Sequence, residues 1–169
     1  MDIGLFVLRL TLGLVFGAHG AQKLFGWFGG PGPEATGQFF AMLGFREGRR
    51  YALTAGVAEV GGGVLLALGL LTPVAAALTV SVMLVAVATV HISKGFFVQN
   101  GGYEYNLVLG VVALALAFAG PGSLSLDALL GEAMSGPLWG LAALLAGVLG
   151  AVISLLDRRA VPVEPNTAG

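Results

Sequence analysis

The sequence predicts an all-α integral membrane protein: a four-helix transmembrane bundle with an additional C-terminal transmembrane helix. Three observations carry that reading. Hydrophobic residues make up 57% of the 169 positions and charged residues only 10%, with a mean hydropathy of +0.93. A water-facing domain usually carries about 25% charged residues, so this chain has too few polar groups to coat a surface in water. Its apolar residues also fall into runs close to the roughly 20 residues that a bilayer-spanning helix needs. Finally, the 28 glycines suit helices in lipid, which pack through small residues that let backbones approach.

Five spans follow in order. The first is Ile3–Phe25. It departs from a cleaved signal peptide, because its Met-Asp start has no basic residue and Arg9, His19 and Lys23 interrupt the apolar stretch, so it is expected to stay as a span. Tyr51–Leu71 contains one Asp, Glu, Lys or Arg, namely Glu59, while Pro73–Ile92 and Pro137–Leu156 contain none. Tyr105–Ala119 is short and is expected to borrow residues from the loop before it. Residues 1–127 therefore read as a four-helix core with an interfacial loop at 29–50, and residues 128–157 as an extra span. The proline-containing stretch 158–169 reads as a disordered cytoplasmic tail. There is no internal repeat.

Basic residues in short loops mark the cytoplasmic side of a membrane protein. Five spans place loop 26–50, loop 93–104 and the C-terminus on one side, and that side collects Arg46, Arg49, Arg50, Lys94, Arg158 and Arg159, with Lys23 beside it. The opposite loops hold no Lys or Arg. The expected location is the inner (plasma) membrane, multi-pass, with the N-terminus outside and the C-terminus in the cytoplasm.

Ionisable residues inside a span are costly and usually face the bundle interior, where they mark function. At 100° per residue, Arg9, His19 and Lys23 share roughly an 80° arc of the first helix, and Gly13 and Gly17 form a GxxxG pair beside it. At 1.5 Å per residue, His19 and Glu59 lie about 12 and 13 Å in from the same side and are level, whereas Arg9 lies some 15 Å further out and is expected to snorkel away. Gly62 and Gly63 share the face of Glu59 and predict room beside its carboxylate. His91 and Glu104 fall in the same half, as do eleven of the 15 aromatic residues, Tyr105 among them. An interfacial belt would populate both faces. A one-sided cluster fits a flat lipid-soluble ligand with polar oxygens, such as a quinone.

Blander readings stand beside that one. Lys23 serves equally as a cation at a helix C-terminus, and Glu59 as a structural bond between spans one and two. No metal site is expected, since the Glu-x-x-His spacing of di-iron bundles is absent and Lys23 would repel a cation next to His19. The glycine-rich "GGPGPEATG" lacks the lysine of a phosphate loop. A net charge of -1 argues against nucleic acid, and the absence of cysteine removes thiol chemistry through this chain.

Four stretches, "RLTLGLVFGAHGAQKLFGWFGGPGPEATGQFF", "AEVGGGVLLALGLLTP", "VHISKGFFVQNGGYEYNLVL" and "GPGSLSLD", resemble the DoxX family of bacterial membrane proteins in order, over residues 8 to about 127. The matching positions are His19, Lys23, Gly26, Glu59, His91, Gly95, Gly102, Glu104 and Tyr105, and Pro137–Leu156 is an addition to the family's four helices. The resemblance implies a link to oxidoreductase systems, such as the membrane part of a thiosulfate:quinone oxidoreductase or a complex with superoxide dismutase and a sulfurtransferase. The expectation is a membrane subunit of an oxidoreductase system that binds a quinone, without a covalent cofactor. Its candidate ligand-binding or proton-relay residues are His19, Lys23, Glu59, His91, Glu104 and Tyr105. Expected partners are the lipid bilayer and soluble oxidoreductase subunits on the cytoplasmic side. The alternatives are a non-enzymatic membrane anchor or scaffold for soluble redox enzymes, and a small transporter.

Overall fold

The structure, a computed structural model, describes residues 2–131 and 134–159. In chain order its helices are α1 (Asp2–Phe25), α2 (Gly32–Met42), α3 (Gly48–Leu68), α4 (Thr72–Ala86), α5 (Glu104–Ala119), α6 (Leu126–Leu129) and α7 (Pro137–Leu156). Helix α4 runs on through a π-helical turn, Val87–His91, and a 3₁₀ turn, Ile92–Lys94. Among the described residues there is no strand, only an isolated antiparallel bridge between Phe45 and Arg158. Four helices are long and apolar enough to cross a membrane: α1, α3, α4 with its continuation to Lys94, and α7. The chain is an all-α, multi-pass membrane protein.

Helix α5 has only 16 residues, yet its ends lie at opposite ends of the bundle. At its start, the Tyr105 hydroxyl meets His19 near the end of α1. Just past its end, the Ser123 N–H donates to Asp2 Oδ1 at the start of α1 (3.0 Å). The expected shortfall of this span is therefore real, and the segment before it folds as a compact turn. There the N–H groups of Gly102, Tyr103 and Glu104 donate back to Phe97, Gly95 and Phe96. Internal pairing of this kind is what backbone near lipid requires.

Helices α1, α3, α4 and α5 form a ring, with α7 laid outside against α4 and α5. The core between them is built from Leu12 and Phe16 of α1, Leu66 of α3, Ala75, Ala76 and Met83 of α4, and Leu109, Ala113 and Leu116 of α5. Without water to drive burial, such helices associate through close van der Waals contact at small residues. The closest approach joins α1 to α3. A Cβ added at Gly63 would stand 2.6 Å from the Gly13 carbonyl and 2.7 Å from the Gly17 nitrogen. One added at Gly20 would stand 2.7 Å from the Gly56 carbonyl. The Gly13/Gly17 pair thus does mark a helix crossing, but the room predicted beside Glu59 is filled, Gly63 by the α1 backbone and Gly62 by Phe16 and Leu78.

Arg9 departs from the expectation that it would snorkel. It is fully buried, donating from Nη1 to the Leu66 carbonyl (3.3 Å) and from Nη2 to the Leu124 carbonyl (2.5 Å), while its Nε has no partner among the described residues. Gly69, in the left-handed region at the end of α3, makes the space, because a side chain there would run into the guanidinium. Beside it Asp127, also fully buried, accepts from the N–H groups of Leu71 (2.9 Å) and Thr72 (3.3 Å) at the start of α4. These bonds pair donors that the first turn of α4 would otherwise leave open.

At the opposite end, Arg158 Nε donates to the Leu43 carbonyl (2.9 Å), the Arg159 N–H donates to the Gly44 carbonyl (2.8 Å), and the Tyr51 hydroxyl donates to Asp157 (3.0 Å). The end of α7 is so fastened to the α2–α3 turn. The tail segment expected to be disordered lies, from residue 160 onward, outside the described residues.

Candidate functional site

The interlocked glycines of α1 and α3 bring two charged residues together. Gly20 allows α3 to press against α1 at the level of Glu59, and the Lys23 stem passes over Gly56, one turn before Glu59. Lys23 Nζ then donates to both carboxylate oxygens of Glu59, at 2.6 and 2.8 Å. The Glu59 side chain is 4% exposed and that of Lys23 is 23% exposed. A buried carboxylate held this way has its charge matched at short range, which a lipid-depth acid requires.

His19 is not the partner of Glu59 that equal depth predicted. Its Nε2 is hydrogen bonded to the Tyr105 hydroxyl (3.1 Å), and the two rings lie 5.9 Å apart, centroid to centroid. His19 and Tyr105 are both exposed, on the seam where α1 meets α5, although His19 lies some 9 Å inside the end of α1. Lys23 joins the two pairs by lying within 3.4 Å of the His19 carbonyl oxygen. The arrangement is a polar patch on the side of a membrane bundle, with an exposed imidazole and phenol in front, a partly buried ammonium beside them and a buried carboxylate behind.

His91 and Glu104 are placed differently. His91 Nδ1 bonds to the Gly101 carbonyl (2.6 Å), and Glu104 Oε2 accepts from the Val98 N–H (3.0 Å). Both brace the turn before α5, and neither is hydrogen bonded to His19, Lys23, Glu59 or Tyr105. The aromatics divide as well. Phe25, Trp27 and Phe28 pack together, Phe40, Phe45 and Tyr51 form a second group under α2, and Phe96, Phe97 and Tyr103 a third. Tyr105 is the aromatic in ring contact with His19. Among the described residues, no three His, Asp or Glu side chains gather closely enough to hold a metal ion.

Two features were missed in the sequence. One is the Gly20–Gly56 contact that sets the Lys23–Glu59 distance; glycine three residues before the buried acid was its signal. The other is Asn106, buried on α5 with its amide donating to Met83 Sδ (3.5 Å), adjacent in sequence to Tyr105. A lone Asn after an aromatic pair gave no pattern to read.

The site can do three things chemically. With His19 Nε2 donating to the Tyr105 oxygen, the Tyr105 O–H is left to donate to an oxygen arriving from outside the bundle. Lys23 Nζ places a positive charge one turn away. Glu59, both of whose oxygens accept from Lys23, is a buried proton acceptor.

Comparison with known proteins follows the same residues. The family model DoxX matches residues 4–92, which include His19, Lys23, Glu59 and His91. A Bacillus subtilis (strain 168) protein named "Putative oxidoreductase CatD" is 34% identical over 115 residues, covering 68% of this chain and 79% of that protein. No solved structure matches the chain.

Proposed function

The chain belongs to the DoxX family, and on that premise we propose that it is a membrane subunit of an oxidoreductase system, binding a quinone or similar lipid-soluble carrier at the α1–α5 seam. The observation that carries this reading is the exposed His19–Tyr105 pair at lipid depth, backed by the buried Lys23–Glu59 pair. Lipid offers no reason to leave an imidazole and a phenol on a helix surface, whereas a ligand oxygen does. The oxidoreductase name of the Bacillus subtilis relative supports the redox assignment.

When bound, a quinone supplies two-electron, two-proton chemistry. The chain's residues bind and manage protons around it. The Tyr105 hydroxyl, set in place by His19 Nε2, holds the carrier's oxygen at the seam. Lys23 Nζ places positive charge where negative charge develops, as electrostatic stabilisation requires. Glu59 exchanges a proton with the seam through Lys23. Electrons come from a soluble oxidoreductase partner docked at the basic end of the bundle. By the excess of Arg and Lys there, that end is cytoplasmic, the N-terminus lies outside, and the membrane is the inner (plasma) membrane.

A second reading is a scaffold for soluble redox enzymes. Favouring it, Lys23–Glu59 ties α1 to α3, and His91 and Glu104 are spent on the loop. The deciding experiment is mass spectrometry of quinones retained by the purified full chain, compared with His19→Ala and Glu59→Gln. Carrier bound by the wild type and lost in both variants supports the first reading. No retained quinone, or equal retention by all three, overturns it in favour of the scaffold.

A further inference from the structure

The outward face of α3, turned away from Glu59, carries a second site. Thr54, Val57, Ala58, Gly61, Val64 and Leu65 recur at helical spacing and, with Leu78 of α4, line an open apolar groove of about 620 Å³. A Cβ at Gly61 would meet nothing within 4 Å, so the glycine leaves the groove floor open instead of admitting a helix neighbour. At Thr54 this groove adjoins a second, polar cavity of about 310 Å³, lined by Glu47, Arg50, Tyr51, Ile153, Ser154 and Asp157. One stripe of α3 therefore runs from charged to wholly apolar walls.

Dimensions and charge say what fits. Thr54 to Leu65 spans about 16 Å of helix, close to the roughly 15 Å hydrocarbon depth of one leaflet. The polar cavity balances its charges. Arg50 is paired with Glu47 at 2.9 Å, and Asp157 lies 3.8 Å from Arg46 while accepting from the Tyr51 hydroxyl. An anionic headgroup meets no net attraction there. A phosphate beside an ammonium meets a guanidinium for the first and two carboxylates for the second.

We propose that this face of α3 holds one zwitterionic aminophospholipid, its headgroup between Glu47, Arg50 and Asp157 and one acyl chain along Thr54 to Leu65. The site is separate from the α1–α5 seam and does not rest on carrier binding.

Native mass spectrometry of the full chain, released from vesicles of phosphatidylethanolamine and phosphatidylglycerol in equal amounts, tests this. The expected result is one retained phosphatidylethanolamine per chain. Its preference over phosphatidylglycerol is roughly tenfold, about what one charge-assisted hydrogen bond contributes. Glu47→Gln combined with Asp157→Asn removes the carboxylates that face the ammonium and should remove the preference, and Gly61→Leu should abolish retention by filling the groove. Val64→Trp, at a residue already on the groove wall and exposed, should do the same and covers the case in which Gly61→Leu fails to fold. Equal retention of the two lipids by the wild type overturns the proposal. So does retention that survives both groove-filling variants, or a lipid-free dimer that Gly61→Leu dissociates.

Discussion

Removing either member of the Lys23–Glu59 pair should have very different consequences. Glu59 is 4% exposed and both its oxygens are taken by Lys23, so Lys23→Met leaves a carboxylate buried in the bundle with no counter-charge. Breaking a buried pair from that side costs about 3 kcal/mol or more. Glu59→Gln leaves the ammonium, but the Lys23 side chain is 23% exposed and its flexible stem can swing toward the headgroups. That loss should be about 1 kcal/mol. The double variant, Lys23→Met with Glu59→Gln, removes both charges together and should fall within about 1 kcal/mol of the wild type, because a buried pair replaced as a unit is often neutral. The assay is reversible unfolding in mixed micelles by rising sodium dodecyl sulfate, followed by circular dichroism. Equal losses for the two single variants, or a double variant carrying both losses in full, would refute the reasoning. Retained stability with lost quinone binding in the double variant would separate the pair's chemistry from its structural role.

The α1–α3 crossing gives a matched comparison by the same unfolding assay. Gly63→Ala drives a methyl into the Gly13 backbone and should cost about 1–3 kcal/mol, while Gly61→Ala, facing open space, should be neutral or stabilising by up to about 1 kcal/mol. Asp127→Ala unpairs the N–H groups of Leu71 and Thr72 at the other end and should cost about 2 kcal/mol. Tyr105→Phe removes one hydroxyl from a partly exposed site, so stability should change by less than about 1 kcal/mol. If the seam binds a carrier, the same variant's affinity for a soluble short-chain quinone should fall roughly tenfold by calorimetry; an unchanged affinity would detach Tyr105 from the site.

The spans were legible because hydropathy answers to bilayer thickness: Pro137–Leu156 is α7 residue for residue, and Gly13 and Gly17 announced their crossing. Partners were harder. Counting depth along the axis made His19 level with Glu59, but long helical side chains point back toward the N-terminus. The Lys23 ammonium therefore sits about a turn deeper than its backbone, within 3.4 Å of the His19 carbonyl, and reaches Glu59 first. Arg9 looked able to snorkel because a single helix shows nothing around it. The carbonyls of Leu66 and Leu124 that hold it come from far along the chain. His91 and Glu104 sat in the right half of the membrane, but their bonds to Gly101 and Val98 depend on how a glycine-rich turn folds.

The brevity of α5 reaches beyond the protein. Sixteen residues rise about 24 Å, some 6 Å less than the hydrocarbon thickness of an average bilayer. Such hydrophobic mismatch is relieved by thinning the adjacent lipid or tilting the helix, and α5 is held from tilting by α4 and α7 on one side and α1 on the other. The bilayer should then be pinched beside α5 and relaxed along α3, a contrast that spin labels at Val108 and Val57, both exposed, would measure as different depths of oxygen access. Equal lipid thickness at the two labels would dismiss the pinch. Tyr105 and His19 lie on the thinned flank, so a ring travelling near the headgroups meets them without sinking into the acyl chains.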